Sequence, residues 1–265
     1  MNGSCSFNQT PLISHTAIDP HFRTFDGTKY SYHGECDMVM ARSPSFGSGK
    51  GLDVHIRTEL VTGWSRISNA AIRIGSDVLE FLDDGSLYFN GIINVDESLK
   101  MSSEYSISTS EQLVQSQGET DKNKRSFVSI DLKSGNHIHL TAFKKMISVR
   151  VDADFHDLQG LIGTRYKAGL VGRDGQTVMA TPNQMGTEWQ VNSTEPLLFH
   201  DVRAPQYPEQ CKLPSYASRL LLLSESDKRR AEDLCSNVDD EMKEFCIEDI
   251  ELSGDSEFAH NGEAY

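Results

Sequence analysis

The sequence lacks the patterns by which several classes of protein are usually identified. It has no apolar run near the roughly 18 residues of a membrane-spanning helix, and its leucine run at 220–223 is only four residues long. No G-x-S-x-G, H-E-x-x-H, P-loop or dinucleotide-binding pattern occurs. We therefore expect no membrane span, no enzyme activity and no cofactor.

Positive charge is also scarce. Lys and Arg together number 25 against 39 Asp and Glu, which gives a net charge of −14. Phosphate binding needs clustered Lys and Arg, so we expect no nucleic-acid partner. An acidic surface suits solubility, cation binding or basic partners, but it does not distinguish among them.

The first ten residues, MNGSCSFNQT, have neither the basic n-region nor the apolar h-region of a signal peptide. Either the protein is cytosolic, or the sequence is a piece of a longer one that begins elsewhere. Three N-x-S/T triplets, at Asn2, Asn8 and Asn192, mildly favour a secreted glycoprotein.

Cysteine is sparse and shows no CxxC and no zinc-like spacing, so we expect no cysteine-based metal site. The five cysteines are Cys5, Cys36, Cys211, Cys235 and Cys246. They could be reduced thiols of a cytosolic protein or disulfides of a secreted one.

Residues 21 to about 152 show the period-two alternation of short strands. One example is 52–58, where Leu52, Val54 and Ile56 alternate with polar residues. Two hairpins are predicted, with turns at 83–86 and 133–136, another strand follows at 146–153, and the polar stretch 111–126 is predicted to be a solvated loop. Helical periodicity is missing here, so we predict a mainly β fold, an antiparallel sandwich or a barrel-like pair of sheets.

The C-terminal part has a different composition. Prolines between 201 and 218 indicate a linker, and helix-forming, acidic residues follow. We predict two short helices joined at 236–240, with Ser226 as an N-cap and a modest apolar face. That face is formed by Leu234, Met242, Phe245 and Ile250.

Residues 19–41, DPHFRTFDGTKYSYHGECDMVMA, resemble the start of von Willebrand factor type D domains. The shared pattern is Asp-Pro-His, then Thr-Phe-Asp-Gly, then Tyr-x-aromatic-x-Gly-x-Cys and an apolar strand. DLQGLIGTRYKAG at 157–169 and MGTEWQV at 185–191 are similar to the family's Gly-Leu-x-Gly turn and closing Trp strand. Several stretches, including YHGECDMVM and AEDLCSNVDDEMKEFCIEDI, look most like the algal (diatom-type) branch.

This resemblance implies a β-sandwich and an extracellular or cell-surface setting. We divide the chain into an N-terminal extension (1–18), a β-domain (19–200), a linker (201–223) and a helical tail (224–265). The chain departs from the family's pattern at Ile18, where a Gly often precedes Asp-Pro-His, and at Ile162, where many members have Cys. The family's calcium loop is replaced by residues 163–176 with Asp174 as the sole acid, so we expect no calcium there.

In the light of the resemblance, oxidised cysteines are the favoured reading. Cys36 lies in an early strand and Cys211 follows the closing segment, so a bridge between them would tie the two ends of the β-domain. Cys235 and Cys246 are spaced for a bridge between the two tail helices. Cys5 is left unpaired or joined to another chain, which would give an oligomer.

The Asp19-Pro20 bond is a candidate cleavage site, because some family members break this bond autocatalytically. His21 could assist proton transfer. However, β-branched Ile18 favours an extended strand over an unusual backbone, and we expect the bond to stay intact.

Two weaker candidates for metal binding remain. His137 and His139 lie on one face of a strand, as metal ligands do, and His55 or His156 would have to complete the site. Asp152, Asp154 and Asp157 form an acidic turn that could bind a cation. Solvated side chains are the default for both, and we expect no metal.

We expect a non-enzymatic extracellular or cell-surface module that acts in adhesion, matrix or cell-wall assembly, with partner proteins or wall components that the sequence does not identify. The alternatives are a self-processing module cut at Asp19-Pro20 and a domain that binds a cation or a glycan.

Overall fold

The computed structural model describes residues 13–17, 20–61, 64–93, 104–114, 123–133, 135–214, 224–238, 240, 243–254 and 256. Within these ranges the chain is mainly β, and its helical part is small. The strands are β1 (Ile13–Ala17), β2 (His21–Arg23), β3 (Lys29–Ser31), β4 (Asp37–Ser43), β5 (Leu52–Val61), β6 (Trp64–Ile74), β7 (Asp77–Leu82), β8 (Leu87–Phe89), β9 (Ile92–Ile93), β10 (Ser106–Val114), β11 (Asn123–Asp131), β12 (His137–Phe143) and β13 (Met146–Asp152). The helices are α1 (Phe46–Gly49), α2 (Pro182–Glu188), α3 (Glu225–Leu234) and α4 (Lys243–Ser253), with a 3₁₀ turn at Cys235–Asn237.

The strands form two antiparallel sheets. The first sheet has the order β10-β11-β12-β13-β1-β2-β3, and the second has the order β4-β5-β6-β7-β8-β9. Long hairpins of neighbouring strands build most of both sheets, whereas β1 returns to pair with β13. The predicted mainly β fold with a small helical appendage is confirmed.

The core lies between the inner faces of the two sheets. Val54 and Ile72 are register partners in the second sheet, and Leu140 and Val149 are register partners in the first. All four side chains are at most 1% exposed and belong to one apolar cluster. Each such side chain stabilises the folded state by about 2 kcal/mol when it leaves water. The apolar positions of the alternation therefore form the faces that pack between the two sheets.

Both predicted hairpin turns are present. Gly85 has a φ of 86° between β7 and β8, and Lys133 and Gly135 have positive φ between β11 and β12. The Gly-containing sequences supply this backbone conformation at little steric cost.

The prediction of a loop over 111–126 is wrong at both ends. Residues 111–114 belong to β10 and 123–126 to β11, and Glu111 is paired with Ser126 in the ladder. Side chains 108–113 are exposed, so no buried face generates apolar alternation there. The backbone ladder continues the hairpin, and Lys124 pairs with Glu111 across the two strands at 2.6 Å.

The polar side chains of β5 are buried as well. Asp53, His55 and Arg57 are at most 7% exposed, because the chain from Trp189 to Arg203 lies over this outer face of the second sheet. The Val39 N–H donates a hydrogen bond to the Trp189 carbonyl, and the Arg57 guanidinium lies 4.4 Å from the centre of the Phe199 ring. These contacts hold the segment against the sheet.

The closing segment 185–191 is part helix and part extended chain, not the predicted strand alone. Helix α2 begins after Thr181, whose hydroxyl accepts a hydrogen bond from the Gln184 N–H, and Pro182 occupies the first turn. After the helix, Gln190 forms an antiparallel bridge with Met38, so only the last residues extend the second sheet.

The tail contains the two predicted helices, but the N-cap of α3 is Ser224 and not Ser226. Ser224 and Asp227 form a reciprocal capping box. Phe245 and Ile250 of the predicted apolar face are buried together with Trp64 and Met146 of the β-sandwich, whereas Met242 lies outside the described residues. The tail is therefore packed against the sandwich, and the boundaries at 18, 200 and 223 stay predictions.

Helices in the described part of the chain are all too short or too polar to cross a lipid bilayer.

Candidate functional site

The candidate cleavage bond lies at the edge of the described residues. Ile18 and Asp19 are outside them, whereas Pro20 is buried. The Pro20 carbonyl accepts a hydrogen bond from the Tyr32 N–H at 3.0 Å, and β2 begins at the next residue, His21. The segment after the bond is thus fixed in a sheet.

The His21 side chain is held on both ring nitrogens. Its Nδ1 lies 2.7 Å from the Ser31 hydroxyl, and its Nε2 lies 2.9 Å from Oδ1 of Asp249 in α4. The Ser31 hydroxyl also donates a hydrogen bond to Glu248 at 2.8 Å, so both ring nitrogens contact groups that are themselves part of one polar network. The ring is fully buried and stacks on Phe245 at 4.3 Å.

Glu248 connects this histidine to a second one. Its Oε1 lies 3.6 Å from Nε2 of His33, which is 2% exposed. Burial alone would raise the pKa of the Glu248 carboxyl, but the contacts with His33, His21 and Ser31 outweigh it, and the pKa lies below its usual value. Two buried histidines of the β-domain therefore face two carboxylates of the tail.

Sequence reasoning missed this cluster, although it singled out His21. Asp249 lies 228 positions from His21, and the tail's many acids gave no sign of which would be buried. The one available signal was the apolar spacing of Phe245 and Ile250, because it places Asp249 close to the buried face of α4.

Both predicted cysteine pairs are joined in the structure. Cys36 and Cys211 are linked with their Cα atoms 5.3 Å apart, and Cys235 and Cys246 are linked with theirs 6.0 Å apart. The first bridge fastens the start of β4 to the segment after the closing Trp, and the second fastens the end of α3 to α4. Cys5 lies outside the described residues.

Of the three candidate glycosylation sites, Asn2 and Asn8 also lie outside the described residues. Asn192 is partly exposed in a turn, where its side-chain oxygen accepts hydrogen bonds from the Thr194 N–H at 2.9 Å and the Thr194 hydroxyl at 2.6 Å. Its neighbour Ser193 is exposed.

The structure does not bring the candidate metal ligands, all of which are described, together into one site. The rings of His137 and His139 lie 5.8 Å apart, but His55 is buried on the other sheet. Asp154 pairs with Arg165, and Asp157 accepts the Ser45 N–H at 2.7 Å. Among the described residues no group of three His, Cys, Asp or Glu side chains is placed to hold a metal ion.

Residues 15–165 match the von Willebrand factor type D domain. The match covers more than half of the chain, and the chain therefore belongs to this family. Domains of the family are generally extracellular, non-enzymatic modules that mediate protein interactions. No curated protein matches the chain, and the predicted likeness to the algal branch finds no support in these comparisons.

Proposed function

We propose that the chain is an extracellular or cell-surface module that acts through its surfaces in adhesion, matrix or cell-wall assembly, without catalysing a reaction. We further propose that its residue types place it nearest the algal branch of the family, and that Cys5 is free to join another chain.

The observation that carries this proposal is the pair of bridges. Cys36–Cys211 closes a loop of 175 positions, and the chain-entropy model assigns such a loop roughly 5 kcal/mol of stabilisation. Disulfides of this kind persist in oxidising compartments and are rare in the cytosol. A sandwich whose two ends are tied by the Cys36–Cys211 bridge suits a module that transmits or resists force rather than one that rearranges.

The test is surface labelling of intact cells that carry a tagged copy of the full chain, followed by peptide mapping without reductant. We expect the protein in the labelled or medium fraction, with Cys36 linked to Cys211 and Cys235 linked to Cys246. A protein found only inside the cell, with these cysteines reduced, would contradict the proposal.

Adhesion itself is tested with beads coated with the protein and offered to wall or matrix material from the same cells. The matched control is the double variant Cys36→Ser/Cys211→Ser, which keeps the surface and loses the bridge. We expect the wild-type beads to adhere and the control beads to detach at lower shear.

A further inference from the structure

A cavity of about 610 Å³ opens on the surface beside the Cys36–Cys211 bridge. It lies between α2, the extended residues 177–180 and the segment 210–213. This volume falls within the range of sites that bind small molecules. Apolar side chains and neutral amides share its walls, among them Val178, Met179, Leu213, Asn183 and Gln210.

Tyr32 is one of the residues that line the cavity. The side chain is 1% exposed, and its buried hydroxyl has no hydrogen-bond partner within the described residues. Buried polar atoms are nearly always paired, so an orphan that lines a cavity calls for a ligand or a solvent molecule to complete it.

The Tyr32 ring is held in a fixed place. It is clamped between Gly34 and Gly186, where an added Cβ at either position would collide with its atoms. The two glycines thus let the backbones of the β3–β4 connection and α2 close around the ring. A hydroxyl fixed in this way is a preorganised hydrogen-bonding group.

The charge of the cavity restricts the ligand. Burial raises the pKa of the Tyr32 phenol well above its usual value, so the hydroxyl stays neutral. No Lys or Arg is among the described residues that line the cavity, and the Glu188 carboxylate is already bonded to the Arg173 N–H at 2.9 Å. With a net charge of −14 on the chain, an anionic ligand is disfavoured.

We propose that this cavity binds a neutral, hydroxyl-rich ligand, namely a hexose unit of a glycan. A sugar hydroxyl would pair with Tyr32, the amides of Asn183 and Gln210 would bind neighbouring hydroxyls, and the C–H face would rest on Val178 and Leu213, which are 48% and 47% exposed. The proposal is independent of the adhesive role, because free sugars test it directly.

The experiment is saturation-transfer NMR of the full chain with glucose, galactose, mannose and N-acetylglucosamine, followed by titration of any sugar that binds. We expect weak, saturable binding of at least one of them. Tyr32→Phe removes only the orphan hydroxyl and should weaken this binding by about five- to tenfold, the value of one hydrogen bond, without lowering the melting temperature.

Tyr30→Phe is the matched control. The Tyr30 hydroxyl donates to the Leu161 carbonyl at 2.6 Å, so its loss should lower the melting temperature and leave sugar binding unchanged. Asn183→Ala, on the exposed side of α2, should weaken binding with the fold intact.

Three results would overturn the proposal. The first is the absence of saturable binding for all four sugars. The second is binding that Tyr32→Phe and Asn183→Ala leave unchanged. The third is a preference of the cavity for an apolar dye or an amine over every sugar.

Discussion

At the scale of single residues, His55 has surroundings that oppose a positive charge. The side chain is 1% exposed, and neither ring nitrogen has a hydrogen-bond partner within the described residues. Burial, with smaller effects of Arg73, Arg173 and Arg42, lowers the pKa of His55 from 6.5 to about 3. The ring is thus neutral in the folded protein between about pH 3 and pH 6.5, where an unfolded chain would protonate it.

We predict that His55 makes the protein less stable as the pH falls below 6.5. Below that value the unfolded state binds a proton that the folded state refuses, so the free energy of unfolding falls by up to about 1.4 kcal/mol per pH unit until the pH nears the folded pKa. Urea unfolding between pH 6.5 and about pH 5 measures the slope, in a range where carboxylates contribute little.

The comparison uses two variants. His55→Leu should flatten the slope, whereas His156→Gln, at an exposed position, should keep it. Equal slopes for wild type and His55→Leu would show that burial of this imidazole does not govern the acid response.

The residue scale also shows what the sequence could predict. The cysteine partners followed from the positions of the cysteines relative to the strands and tail. The surroundings of Tyr32 and His55 could not be predicted. The glycines and arginines that enclose them are dispersed along the chain and meet only when the segment from Trp189 to Arg203 covers the second sheet.

At the scale of elements, periodicity predicted the strands that bury one face and failed where burial has another cause. The end of β10 is exposed, and the buried residues of β11 that lie opposite it, Arg125 and Ser126, are polar, so neither end carries an apolar signal. The outer face of β5 carries polar residues, yet it is buried because a distant segment covers it. Helix α2 was missed because 185–191 was read as a strand, although Thr181 and Pro182 are helix-start signals.

Helix α4 yields a prediction at this scale. Asp249→Ala should destabilise the docked tail by up to about 3 kcal/mol, because it leaves the buried His21 ring without its carboxylate. Hydrogen exchange of the amides in 243–253 measures this as faster opening of α4.

The matched control for Asp249→Ala is Glu244→Ala, on the exposed side of the same helix, which should change exchange by little. If the amides of α4 exchanged at the same rate in the two variants, the contact between Asp249 and His21 would not be what holds α4 on the sandwich.

At the scale of the whole molecule, the Cys36–Cys211 bridge and the buried histidine cluster hold distant parts of the chain together. The apolar cluster of the sandwich includes both Cys36 and Cys211 but no described residue of the tail. The tail adds a second cluster around Trp64, Met146 and Phe245. The molecule is therefore a closed sandwich with a stapled helical pair docked over the start of β2.

This arrangement predicts that the purified protein stays one uncut chain at neutral and mildly acidic pH. Cleavage at Asp19-Pro20 would need the Asp carboxyl aligned with its own carbonyl, and backbone strain usually supplies such alignment, whereas Ile18 favours an extended strand. Both ring nitrogens of His21 are also engaged in hydrogen bonds, with Ser31 and Asp249, so neither is available to the Asp19-Pro20 bond. Intact mass spectrometry after prolonged incubation tests this, with Asp249→Ala as the variant that frees Nε2 of His21.

A fragment that begins at Pro20 in the wild-type protein, and that Asp19→Ala abolishes, would contradict the prediction and favour the self-processing alternative. A fragment seen only in Asp249→Ala would instead show that the docked tail keeps the bond intact.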